Sequence, residues 1–207
     1  MDGVLIDSEP LWKIAMEEVF ISLGSNLSKK DFEKTVGLRI DEVIHFWNKQ
    51  ENWAIKDEND IAERIISKME ILISQNSKPL EGVLDTLNFL KNQNLKIGLA
   101  TSSSSRLISI VLNELNIKHY FHKVCSAEKE KYGKPHPAVY LKVAKKLKVS
   151  PTKCLVIEDS YNGVISGLAA RMKVVCIPEK THVINSKLKL ADYTFSSMTD
   201  FCLEIKK

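Results

Sequence analysis

Leu155-Val156-Ile157-Glu158-Asp159-Ser160 decides how the chain is to be read. Three consecutive apolar residues with nothing polar between them suit a strand covered on both faces, the condition of a strand inside a parallel sheet. Two adjacent carboxylates at the end of such a strand repel each other and lose solvation, so they call for donors or a cation nearby. Oxygen ligands of this kind suit Mg2+ better than zinc. The same residues also fit a plain helix start, with Asp159 as the cap.

The texture recurs on either side. A helix with Val83, Leu84, Leu87 and Leu90 precedes an apolar run at Leu95 to Ala100, and a helix with Leu107, Ile108, Val111, Leu112 and Leu115 follows it. A short strand near Val124, a helix with Tyr140, Val143, Ala144 and Leu147, a helix with Val164, Ile165, Leu168 and Ala169, and a strand Val174 to Ile177 complete the alternation. Strands separated by helices of this length predict right-handed βαβ units, hence an α/β fold with a Rossmann-like parallel sheet. Before Pro79 every periodic signal is helical: Leu11, Ala15, Met16, Val19, Phe20 and Leu23, then Val43, Ile44 and Trp47, then Ile61, Ala62, Ile65, Ile66, Met69 and Ile73. Gly24 and Gly37 suit helix stops, and Ser28 suits the N-cap of a short helix at Lys29-Lys30-Asp31. The expected division is a core of residues 1–10 and 79–207 and an inserted helical unit of residues 11–78.

With 207 residues, 44% of them hydrophobic and 27% charged, the chain has globular composition and room for one core with an insert. The net charge of +4 is dispersed rather than striped, which disfavours a nucleic-acid partner. Cys125, Cys154, Cys176 and Cys202 form no zinc-binding spacing, and three of them lie in or beside apolar segments as small hydrophobes. No leader-like segment and no membrane-length apolar run is present, so a protein of the reducing cytoplasm without membrane association is expected, and the modest helical insert and unremarkable surface make a monomer the default.

Ligands of open parallel sheets bind beyond the carboxyl ends of the strands. The run Thr101-Ser102-Ser103-Ser104-Ser105 offers hydroxyls and free amides at a helix start, which suits an anion, although a Ser-rich N-cap looks the same. In Gly133-Lys134-Pro135-His136-Pro137 the prolines restrain the loop, so Lys134 can bring a fixed positive charge to the same mouth; a solvated surface lysine is the plainer reading. Cradle, lysine and paired carboxylates on one sheet edge describe phosphate with Mg2+. No P-loop, nucleophile-elbow serine or H-E-x-x-H motif offers another mechanism.

Taken together, these residues resemble the haloacid dehalogenase superfamily of phosphohydrolases, in the branch with a helical cap inserted after the first motif. The similarity runs along essentially the whole chain: Asp2-Gly3-Val4-Leu5-Ile6-Asp7-Ser8-Glu9 for motif one, Thr101 for motif two, Lys134 for motif three, and Glu158-Asp159 for motif four. Gly37-Leu38-Arg39-Ile40-Asp41, Phe46-Trp47 and Ser126-Ala127-Glu128 resemble the branch acting on hexitol and 2-deoxyglucose 6-phosphates, and also β-phosphoglucomutase. The resemblance implies a sugar-phosphate phosphatase working through an aspartyl phosphate. It implies Asp2 as general acid and base, Thr101, Ser102 and Lys134 around the phosphoryl group, Asp2, Glu158 and Asp159 around Mg2+, and Arg39 on the sugar or sugar alcohol. A mutase-like phosphotransferase and a non-catalytic remnant are the alternatives.

Asp-x-Asp in motif one would put the attacking carboxylate just before Met1, where this chain has no residue, and Asp7 and Asp41 do not fall at that position. The expectation is therefore a truncated chain, lacking the first core strand and about ten residues in all, poorly stable and inactive as a phosphatase.

Overall fold

The computed structural model describes residues 1–178 and 186–207. Three helices come first: α1 (Glu9–Ile21), α2 (Ile40–Glu51) and α3 (Glu58–Asn76), with a 3-10 turn at Asp31–Thr35 between α1 and α2. α1 buries the stripe Leu11, Ala15, Met16, Val19 and Phe20. It stops near Gly24, whose φ of +82° lets the amide of Ser25 reach back to the Phe20 carbonyl at 3.1 Å. α3 packs on both α1 and α2, and its Ile65, Met69 and Ile73 are fully buried. At Ser28 the capping runs opposite to expectation. The Asp31 carboxylate accepts from the Ser28 amide (3.0 Å) and hydroxyl (2.7 Å), because an ionised acceptor captures both donors more strongly than a hydroxyl captures one.

The rest alternates: α4 (Val83–Asn92), β1 (Gly98–Thr101), α5 (Ser105–Glu114), β2 (Lys123–Ser126), α6 (Ala138–Leu147), β3 (Leu155–Glu158), α7 (Tyr161–Ala169), β4 (Lys173–Cys176), β5 (Tyr193–Thr194) and α8 (Met198–Ile205). Every strand pairing is parallel, as the unbroken apolar runs require. The strands form two sheets, β1-β2 and β3-β4-β5, rather than one. Between them lies a cavity of about 540 Å3 lined by Leu99 and Ala100 of β1, Val156 and Ile157 of β3, and Val83, Leu87, Met198 and Phe201 of the flanking helices. Native interiors rarely hold voids of that size. Among the described residues no strand fills it, and one edge of β1 and one of β3 remain bare.

One apolar cluster runs from α1–α3 through Val4, Leu5 and Ile6 to α4, α5 and α8; a second joins β3 and β4 to α6 and α7. The helical layer thus shares its core with one face of the α/β part. We propose residues 11–78 as the cap and 1–10 with 79–207 as the core, of which 179–185 lie outside the described residues. No helix among the described residues is long and apolar enough to cross a membrane.

Unpaired strand edges beside a cavity exchange their amide hydrogens far faster than ladder amides. In native-state hydrogen exchange, the amides of β1 and β3 that face the cavity are expected to exchange early while those facing β2 and β4 stay protected. Uniform protection across both strands would show the two sheets joined.

Candidate active site

The carboxyl ends of β1 and β3 and the loop after β2 converge on one cleft of about 100 Å3. Its floor is Asp2, Gly3, Thr101, Ser102, Ser103, Lys134, Glu158 and Asp159. Its roof comes from the helical layer: Glu9, Trp12 and Met16 of α1, Phe32, the segment 35–38, Ile40 and Val43, and Ile66 of α3. A charged floor under a largely apolar roof suits a small ligand with one strongly anionic end.

Asp2 sits at the start of a tight turn in which the Leu5 amide donates to the Met1 carbonyl at 2.7 Å and the Gly3 amide to the Ile6 carbonyl at 2.9 Å. Gly3 has φ +64°, and a Cβ there would lie 2.0 Å from Asp159 Oδ2, so glycine is required by conformation and by space. The Asp2 carboxylate accepts from Ser8 Oγ (2.6 Å) and Trp12 Nε1 (3.2 Å) on one oxygen and from Ser103 Oγ (2.6 Å) on the other. Burial pushes its pKa up, but the Met1 ammonium and these three donors outweigh it and hold the group below the usual carboxylate range.

Lys134, at the cis Lys134–Pro135 bond, and Glu158 form a buried ion pair, their side chains only 6% and 5% exposed. Tyr140 donates to the same Glu158 oxygen as Lys134, while Glu158 Oε2 accepts from the Ser160 hydroxyl (3.2 Å) and the Asp159 amide (3.2 Å). Burial would raise Glu158, yet the Lys134 charge, the Met1 ammonium and these donors bring it down to about 2. Asp159 is the reverse case. Burial and the neighbouring Glu158 charge push it well above the usual carboxylate range. Its side chain abuts Gly3, and a hydrogen-bond contact with the Glu158 carboxyl raises it further.

That contrast bears on the expected metal. Asp159 is a buried carboxylate in need of positive charge, and an all-oxygen donor set fits Mg2+. Glu158, by contrast, is taken up by Lys134, Tyr140 and Ser160. Among the described residues Asp2, Glu158 and Asp159 do not close into a three-carboxylate cluster.

Thr101 and Lys134 lie on the cleft floor as expected. Ser102 does so too, but its hydroxyl donates to the Gly37 carbonyl at 3.1 Å, which leaves its amide as the group to consider for an anion. Arg39 is absent from the cleft lining. Its Nη1 donates to the carbonyls of Ala127 (3.2 Å) and Glu130 (2.6 Å), and its other nitrogens grip Asp41. In this arrangement it touches the core, not the space for a sugar. Ser8, Trp12, Ser103 and Tyr140 were not singled out by sequence reasoning. Ser103 lay within the quoted hydroxyl run, but no local signal tells which of its four serines meets Asp2, and Tyr140 follows the helical period of a core residue.

The model of the haloacid dehalogenase-like hydrolase family matches residues 1–177. Hexitol phosphatase B of Escherichia coli (strain K12) is 39% identical over 201 residues, covering 97% of this chain and 90% of that protein. A phosphorylated carbohydrates phosphatase of Thermotoga maritima is 33% identical over 171 residues, covering 82% and 78% respectively. Among solved structures, a β-phosphoglucomutase of Clostridium difficile has a TM-score of 0.85 at 29% identity, covering 99% of this chain and 92% of that one.

Two substitutions separate the roles of the acidic pair. Glu158→Gln leaves Lys134 buried without its counter-charge and is expected to cost about 3–5 kcal/mol in denaturant unfolding. A raised carboxylate is a stability cost at neutral pH, so Asp159→Asn is expected to raise the metal-free unfolding midpoint. It is also expected to abolish any stabilisation by Mg2+, which for a single site at a hundredfold excess over Kd amounts to about 2.7 kcal/mol. Equal effects of the two substitutions would contradict this assignment.

Proposed function

The chain belongs to the haloacid dehalogenase-like hydrolases, and from that premise we propose that it is a Mg2+-dependent phosphatase of phosphorylated sugars or sugar alcohols. The observation that carries the reading is the meeting of Asp2, Thr101, the Lys134–Glu158 pair and Asp159 on one cleft floor beneath an apolar roof. The relatives named for hexitol and carbohydrate phosphates support the substrate class.

In this reading Thr101, the Ser102 amide and Lys134 hold the phosphoryl oxygens, a preformed cradle that costs no reorganisation during transfer. Asp159 and Asp2 would hold the metal, with Glu158 beside them, and Mg2+ there would offset the charge on the transferring phosphoryl group. Asp2, kept ionised by its three donors, is the proton carrier of this reading, and it takes up a proton only by giving up some of those donors. It activates water in the second step and, once it exchanges those donors for a proton, protonates the leaving alkoxide in the first. Trp12, Met16, Phe32 and Ile40 in the roof exclude bulk water around the leaving group. The two-step displacement of this reading takes its attacking carboxylate two residues before Asp2, a position outside the 207 residues.

The likeness to β-phosphoglucomutase at 29% identity favours a second reading, phosphoryl transfer between sugar positions. The two differ in phosphate release.

As these 207 residues, the protein with hexitol 6-phosphate and Mg2+ is expected to release no phosphate above background. Joining to Met1 an apolar strand that ends in Asp is expected to start release, and Asn at that position to abolish it. Turnover by the 207-residue chain overturns the placement of the nucleophile. Failure of the extended chain to release phosphate, with isomerised sugar phosphate instead, selects the mutase.

A further inference from the structure

The start of α2 grips the loop that carries Lys134. Arg39 is its N-cap and Glu42 its N3 residue, and Glu42 Oε2 accepts from the Arg39 amide at 3.1 Å. The other Glu42 oxygen accepts from the amide of Gly133, immediately before Lys134, at 3.0 Å. Gly133 has no room for a side chain, since a Cβ would lie 2.4 Å from Glu42. Arg39 Nη1 holds the carbonyls of Ala127 and Glu130 at the other end of the same loop. The guanidinium is itself aimed by a bidentate pair with Asp41, at 3.0 and 2.8 Å, and its side chain is only 10% exposed. The contacts on the loop are all to main-chain atoms, so they form only when loop 127–133 has this shape and the cap sits where it does.

We propose that Arg39 and Glu42 are positioning residues that couple cap closure to the shape of the loop bearing Lys134, so that closing the cap and setting the lysine are one event. A merely adhesive contact behaves differently, and the molecule carries one for comparison. Arg106 of α5 reaches Glu63 (2.6 Å) and Glu70 (2.9 Å) of α3, joining cap and core without touching the 127–133 loop. The coupling rests on geometry alone. Only its use, setting a phosphate-binding lysine, rests on the function proposed above.

Hydrogen exchange of the ligand-free chain separates the two kinds of contact. Arg39→Ala is expected to lower protection of the Gly133 amide by roughly tenfold or more, and Arg106→Ala to leave it unchanged even though it too removes a contact between cap and core. Arg39→Lys, which keeps the charge but cannot span two carbonyls while gripping Asp41, should fall between them and guards against simple misfolding of the alanine variant. Equal protection of Gly133 in all three, or an equal loss in the Arg106 variant, overturns the proposal. Titration with inorganic phosphate and Mg2+ adds the second reading. Weaker phosphate binding in Arg39→Ala than in Arg106→Ala supports the coupling through Lys134. Lost Gly133 protection with unchanged phosphate affinity also supports the coupling and overturns instead the phosphate role of Lys134.

Discussion

The buried pair of Lys134 and Glu158 is the interaction on which the rest of this molecule depends. Lys134 belongs to the loop beyond β2, in one sheet, and Glu158 ends β3, in the other. Among the described residues the two sheets share no ladder hydrogen bonds, so the ion pair, with Tyr140 from α6 and Ser160 at the head of α7, fastens their carboxyl ends together where backbone pairing does not. Taking two charges out of water is expensive and is repaid only when the remaining lone pairs are satisfied. Here both Glu158 oxygens are. That saturation leaves Asp159, one residue on, as the carboxylate with unmet demand for positive charge.

The helical layer depends on the same anchor from the other side. The segment from Val36 to Glu42 is tied to the core at three places: Asn162 donates to the Val36 carbonyl at 3.1 Å, Ser102 to Gly37, and Gly133 to Glu42. Gly37, with φ +82°, packs so closely on Ser160 that a Cβ would lie 2.7 Å from its hydroxyl oxygen. Cap placement and floor geometry are therefore set by one continuous set of contacts. Because the apolar core also runs through both layers, moving the cap disturbs more than a hinge.

What was legible in the sequence follows the range of the forces involved. The strand at Leu155–Glu158 and the stripe of α3 are local patterns, period and run length, and both appear as read. Lys134 was legible because prolines on its C-terminal side mark a restrained loop. β5 is two residues long and carries no pattern, and α8, though capped by Ser197, is a single short helix after a stretch without periodicity; neither was anticipated. At the site, the donors on Asp2 come from Trp12, ten residues away, and Ser103, 101 residues away, so only the folded chain brings them together. Arg39 shows the opposite limit. The family resemblance offered it as a substrate contact, and only the three-dimensional neighbourhood showed main-chain carbonyls within its reach.

The central claim is that the sheet ends form a floor for a tetrahedral oxyanion beside a cation. A crystal structure of the chain soaked with tungstate and Mg2+ tests it most directly. The account predicts anomalous density for tungstate within hydrogen-bonding distance of Thr101 and Lys134, with a cation against Asp159. Tungstate bound elsewhere on the surface, with this floor empty at saturating concentration, would contradict it.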